Sequence, residues 1–426
     1  MIDRLQSPAI YAPLDFTYTL PACEKNILPN GVPLYSVNHC PEPVLFLELV
    51  FPAGMWYEKK TGVAQATAAL LKSGTASLNS FQINESFEQY GASVKSGAGS
   101  DWASLSVSCL SKQLEKVIPL FASLLQETLF PQHELDIYIR NAKERMSVQL
   151  KKSDFVANRL IDTYLFGESH PYGRFTHIED LDKIQREDLL QHLQSYFGSG
   201  GCKIFMAGQF GDQEIKLVEQ YFGQTAWFSH TLTEPAYMLH RASEKKYRIA
   251  HDEHSVQGSI RLLRDFPEKE HPDFSGMIVL NTLFGGYFGS RLMSNIREDK
   301  GYTYGIHSYL YNNRHSGAYI ITTEAGKTVC EATVEEVYKE MLLLQNEAVS
   351  NEELSLVKNY LLGNLLGDLD GAFQIIRRWK NLILNGFTEE RFYQNIKMYK
   401  EIQPETLQSL AKKYLRPEDF YELIVI

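Results

Sequence analysis

Two periodicities alternate along the chain. Residues 31–37 and 44–51 are apolar-rich runs bounded by turn residues and read as strands. Leu105, Val107 and Cys109 alternate with Ser104, Ser106 and Ser108, the pattern of a strand with one buried and one wet face. Helical spacing takes over in residues 62–72, which Gly74 ends, and again in Leu114, Val117, Ile118, Phe121, Leu124 and Leu125. That second helix is expected to be capped by Ser111 and to stop before Pro131. Leu135, Tyr138, Ile139, Ala142 and Met146 mark another. In the second half, residues 248–263 contain strand, residues 290–300 are helical up to Gly301, and residues 302–311 and 318–323 are strands. Ser350-Asn351-Glu352-Glu353 has the form of a capping box that opens a long helix. Hairpin-joined strands followed by paired helices predict α+β layers rather than a wound parallel sheet.

The pattern repeats. Residues 184–197 align without gaps on residues 402–415 at an offset of 218, with five identities in fourteen positions. Each copy is an amphipathic helix, a turn (198–201 or Arg416-Pro417) and a short apolar strand. Two unrelated amphipathic helices can match by chance. The shared helix–turn–strand order favours duplication. The expected organisation is two homologous domains, 1–222 and 246–426, joined by residues 223–245, where periodicity fades.

Composition narrows the function classes. Of 426 residues, 44% are hydrophobic and 22% charged, and the formal charge is -10. That balance argues against a nucleic-acid or anionic-membrane surface, which needs clustered Lys and Arg. The five cysteines are scattered and form no Cys-x-x-Cys, as expected of reduced thiols. Met1-Ile2-Asp3-Arg4 lacks a basic start followed by an apolar run, so no signal peptide is expected, and no apolar run reaches the ~18 residues of a membrane helix. A cytoplasmic protein is the expectation.

Chemistry enters with the helix Gly62-Val63-Ala64-Gln65-Ala66-Thr67-Ala68-Ala69-Leu70-Leu71-Lys72-Ser73-Gly74-Thr75, which follows a strand and the turn Pro52-Ala53-Gly54. This context resembles the N-terminal domain of the pitrilysin/insulinase peptidases. In that family the helix carries His-x-x-Glu-His: two imidazoles at i and i+4 grip zinc, and the glutamate is the general base. Here the three places hold Gln65, Ala68 and Ala69, so the resemblance implies a degenerate metal motif and no zinc in this chain. The family's further glutamate ligand falls at Glu144 or Arg145. His251-Asp252-Glu253-His254 reads as a polar turn, because residues three apart on a strand face opposite sides. His170-Pro171-Tyr172-Gly173-Arg174 is similar to a structural loop of the family.

The second half carries a linked pattern: Phe284-Gly285-Gly286-Tyr287-Phe288-Gly289-Ser290-Arg291-Leu292, then Ile296-Arg297-Glu298-Asp299-Lys300-Gly301-Tyr302-Thr303-Tyr304. It resembles the family's glycine-rich segment and Arg-Glu-x-x-Gly-x-x-Tyr signature. The resemblance implies that Arg297 and Tyr304 bind substrate backbone opposite a zinc site. Taken alone, Arg297 could be a helix-end ion pair and Tyr304 a sheet aromatic. The fold it implies is two pitrilysin-like domains, each a mainly antiparallel sheet covered by helices on one face. The function it implies is the non-catalytic subunit of a heterodimeric, processing-peptidase-like metallopeptidase. Its partner would be a zinc-bearing pitrilysin-like subunit or a second copy of itself, and peptides its substrates. A peptide strand could add to the edge near Ser96-Gly97-Ala98-Gly99-Ser100-Asp101, although a solvated hairpin turn is the preferred reading of that stretch. The alternative is a non-enzymatic peptide-binding or scaffold protein of the same fold, and a weaker one an autonomous zinc peptidase with displaced ligands.

Overall fold

Eleven strands form two sheets in a computed structural model that describes residues 12–224, 227 and 233–426. The start Met1–Arg4 and part of the 223–245 segment lie outside the described residues. The first sheet comprises β1 (Glu24–Ile27), β2 (Pro33–Asn38), β3 (Val44–Phe51), β4 (Ser93–Ala98), β5 (Ala103–Leu110) and β6 (Lys203–Gly208), in the order β1-β2-β6-β3-β5-β4. The second comprises β7 (Lys246–Ile249), β8 (Gln257–Phe266), β9 (Thr303–Asn313), β10 (Ser316–Gly326) and β11 (Tyr421–Val425), in the order β7-β11-β8-β10-β9.

The duplication is visible in this topology. Apart from the extra β1, the orders β2-β6-β3-β5-β4 and β7-β11-β8-β10-β9 follow the same plan. Each sheet contains a parallel pair, β2 with β6 and β11 with β7. The repeated helices, Arg186–Tyr196 and Pro404–Tyr414, keep the offset of 218, as do the starts of β6 and β11.

The chain divides into two compact units that are not contiguous in sequence. One comprises Ala22–Leu263, Gly371–Lys380 and Tyr421–Ile426. Its core packs Leu45, Leu47, Leu49, Leu105 and Val107 of the sheet against Val117, Phe121 and Leu124 of the Leu114–Gln126 helix. The other comprises the leading residues to Pro21, Arg264–Asp370 and Asn381–Phe420.

The strand alternation holds: Leu105, Val107 and Cys109 are buried while Ser104, Ser106 and Ser108 are half-buried or exposed. Two caps differ from expectation. The Ser111 hydroxyl donates to Gln209 O at 2.5 Å, and a 3₁₀ turn over Ser111–Gln113 opens the helix instead. Ser350 does accept from Glu353 N at 3.1 Å, but the Glu353 carboxylate is held by Arg291 rather than closing the box. No helix among the described residues is long and apolar enough to cross a membrane.

Candidate functional site

The motif helix is placed by its approach. After β3 the chain turns at Gly54, where a Cβ would stand 2.6 Å from Gly99 O, Ser100 O and the Asp101 carbonyl carbon. Glycine lets this backbone lie against the β4–β5 hairpin. Gly54 N, Met55 N and Trp56 N then donate to Asp101 O, Gly99 O and Ser100 O at 3.2, 3.0 and 2.8 Å. The hairpin is therefore a structural partner of this turn rather than free in solvent, and β4 is an edge strand of the sheet.

Gly62 follows at φ 92°, a left-handed conformation suited to glycine, and the helix runs over Val63–Leu70. Its first amides are satisfied by a carboxylate from outside the helix. Glu58 Oε2 accepts from Gly62 N at 3.1 Å and Ala64 N at 3.0 Å. An anion here also meets the positive end of the helix dipole. Arg174 reaches Glu58 Oε1 at 3.1 Å and Met55 O at 2.8 Å. Burial raises the Glu58 pKa, opposed by the two amides and the guanidinium. The loop that carries Arg174 is fixed by aromatic packing. The His170 ring packs on Phe166, Trp56 and Tyr172, and its Nδ1 accepts from Tyr172 N at 3.2 Å, a hydrogen-bonding role.

On this helix Gln65 and Ala69 are exposed and lie one turn apart on the same face. Ala68 is 0% exposed. It therefore does not share the open face with the other two, although the family motif would bring all three to one metal. The residues do not fit a catalytic zinc: one neutral amide and two methyl groups offer neither an imidazole pair nor a base. Glu144 and Arg145 are exposed on the Gln132–Gln149 helix. His251 and His254 sit in a turn in which Asp252 Oδ1 accepts from His254 N at 3.0 Å. Among the described residues no group of three or more His, Cys, Asp or Glu is arranged to hold a metal.

Arg297 and Tyr304 belong to the other unit. The Phe274–Asn281 helix ends in a π-helical turn at Thr282–Gly286, and a second π-helical segment spans Met293–Asp299. Such turns are frequent at functional sites. Arg291 anchors the intervening Ser-Arg-Leu segment by a two-pronged pair with Glu353, both contacts at 2.8 Å. Gly301, at φ 67°, turns the chain into β9. Arg297 Nε donates to Tyr304 O at 3.0 Å, and the guanidinium lies 4.7 Å over the Phe288 ring. Its NH1 is 3.6 Å from Glu298 in an exposed pair. The Tyr304 side chain is not packed as a sheet aromatic: it is 90% exposed. An arginine held at Nε by the Tyr304 backbone carbonyl, and the solvent-exposed Tyr304 phenol itself, offer N–H and O–H donors suited to peptide carbonyls.

Three contributors were not read from the sequence. Glu58 and Arg174 are 116 positions apart, and Phe288 was seen as part of a glycine-rich run rather than as the ring beneath Arg297. The usable signals were a carboxylate four residues before Gly62 and an arginine closing the His-Pro-Tyr-Gly-Arg loop.

Comparison with known proteins places the chain. Residues 35–170 match the family model described as insulinase (peptidase family M16), and residues 183–361 match the peptidase M16 inactive domain. The chain is 23% identical over 329 residues to a Bacillus subtilis protein named "Uncharacterized zinc protease YmxG", covering 76% of this chain and 79% of that one. It is 24% identical over 345 residues to the Helicobacter pylori "Non-peptidase homolog YmxG", covering 78% and 77%. The rat mitochondrial-processing peptidase subunit alpha is 23% identical over 471 residues, covering 97% and 87%. The crystal structure of a peptidase M16 inactive domain from Pseudomonas fluorescens superposes with a TM-score of 0.86 at 21% identity, covering 95% of this chain and 98% of that one. The two family models together span the greater part of the sequence, and the fold and its internal duplication agree with them: the chain belongs to the insulinase, or pitrilysin, peptidase family M16.

Proposed function

We propose that this chain is an inactive M16 subunit that offers Arg297 and Tyr304 to peptide held by a zinc-bearing M16 partner. The carrying observation is the contrast between two helices. The helix that bears zinc ligands in the family has Gln65 and Ala69 on its open face. The segment with the substrate-binding signature keeps an Arg297–Tyr304 unit, with the phenol 90% exposed. A retained donor pair without a metal site fits a division of labour between chains. The "non-peptidase" name of one relative and the processing-peptidase subunit name of another support this reading. In it, residues 1–222 and 246–426 are the duplicated halves, the partner supplies zinc, and the assembly works in the cytoplasm.

The test is co-expression with a zinc-bearing M16 chain, followed by hydrolysis of unfolded peptides. The pair is expected to cleave faster than the partner alone, with most of the gain lost in Arg297→Ala. Equal rates for the pair and the partner alone, with no effect of Arg297→Ala, would refute the reading. A second reading, a peptide-binding scaffold without turnover, rests on the same exposed phenol. Stable complexes that hold peptide but never include a zinc-bearing chain would favour it.

A further inference from the structure

The outward face of the first sheet holds a cavity whose lining includes no residue of either motif segment. Strand register sets which residues share this face. One cross-strand row is Tyr35, Phe205, Glu48, Ser106 and Lys95, and the next is Val37, Ala207, Phe46, Ser108 and Ser93. These residues alternate with the core positions Leu45, Leu47 and Leu49, so they face away from the core. The face is aromatic and aliphatic on β2, β6 and β3, and serine- and lysine-bearing on β5 and β4.

The opening turns of the Ala372–Leu384 helix lie over this face, within the same compact unit. Phe373 meets Phe46 edge-on at 6.3 Å, and Lys380 pairs with Glu48 at 2.7 Å. Between helix and sheet is a cavity of about 510 Å³, in the size range of small-molecule sites. Phe46, Phe205, Leu110, Phe373 and Ile376 give it apolar walls. Four charged side chains line it: Glu48, Lys95, Arg377 and Lys380. Glu48 and Lys380 neutralise each other. Among the described residues, Lys95 and Arg377 have no carboxylate partner. The cavity thus combines apolar walls with two uncompensated cations, and an apolar chain ending in one anionic group complements both.

We propose that this cavity binds an aliphatic monocarboxylate of fatty-acid type, its chain against the aromatic wall and its carboxylate taken by Lys95 and Arg377. A neutral chain would leave the cations unused, and a cationic one would be repelled by them.

Isothermal titration of the full chain with decanoate, octanoate, decanol and decyltrimethylammonium tests this. Decanoate is expected to bind saturably at one site. Octanoate should bind about fifteenfold more weakly, because each buried CH₂ is worth about fourfold. Decanol should be at least about tenfold weaker, and the ammonium should not bind. Lys95→Gln and Arg377→Gln alter exposed residues. Each should weaken decanoate about tenfold and leave decanol unchanged, with unaltered thermal unfolding. Absence of saturable decanoate binding, equal affinity for decanoate and decanol, or indifference to both substitutions would overturn the proposal.

Discussion

Arg174→Leu examines the support of the motif helix directly. In the native chain the Glu58 side chain is 1% exposed and the Arg174 side chain 17%. The substitution keeps an apolar stem but removes the guanidinium from Glu58 Oε1 and Met55 O. Breaking a buried ion pair from one side costs about 3–5 kcal/mol, because the remaining charge is uncompensated. Two amides still hold the Glu58 carboxylate, and Arg174 is within partial reach of water, so the lower end, ~3 kcal/mol, is expected. About 1 kcal/mol of that belongs to the Met55 carbonyl and does not depend on pH. The remainder does. Burial already raises the Glu58 pKa, and losing the cation raises it further. A raised carboxyl contributes stability below its unfolded pKa, where both states carry the proton. That contribution is lost as pH rises through the folded value. The gap between native and variant protein should therefore be widest at pH 8 and narrow to ~1 kcal/mol towards pH 5. Urea unfolding at both pH values measures the gap, and amide exchange at Gly62 and Ala64 reports the helix start. A loss under ~1 kcal/mol at pH 8, or a gap that widens on acidification, would refute the reasoning.

Other outcomes follow from the same structure. Burial pushes the His192 imidazole down to about 4, and its Nε2 lies 3.0 Å from Ala53 O. Since the unfolded ring titrates near ~6.5, this stability is present above that value. It is lost as pH falls towards 4, by up to ~3 kcal/mol, and urea midpoints should flatten across that window in His192→Asn. Gln65→His with Ala69→His places two imidazoles on one exposed helix face and should create zinc binding, absent from the parent, that titration calorimetry detects. Adding Ala68→Glu should cost ~3 kcal/mol in thermal or urea unfolding, because it places a carboxylate at a fully buried position. Tyr304→Ala should leave unfolding within ~0.5 kcal/mol, since the side chain stands in solvent. A larger loss would mean that the tyrosine has a structural role.

The sequence by itself determined the elements and their duplication. Alternation in 104–109, helical spacing after Ser111 and the 218-residue offset are local or linear signals, and each reappears as strand, helix and matched sheet order. It also determined the chemistry missing from the motif helix, because residue type at 65, 68 and 69 does not depend on folding. Tertiary structure decided which way those positions face. Ala68 is buried and its two neighbours are open, a difference that spacing along one helix does not reveal. It also decided where charges and caps are satisfied: Glu58 by Arg174, Glu353 by Arg291, Glu48 by Lys380, and Ser111 at a distant carbonyl. Those partners lie 62 to 332 positions apart. Periodicity reports the face a residue presents, whereas pairing depends on which remote face the folded chain brings against it.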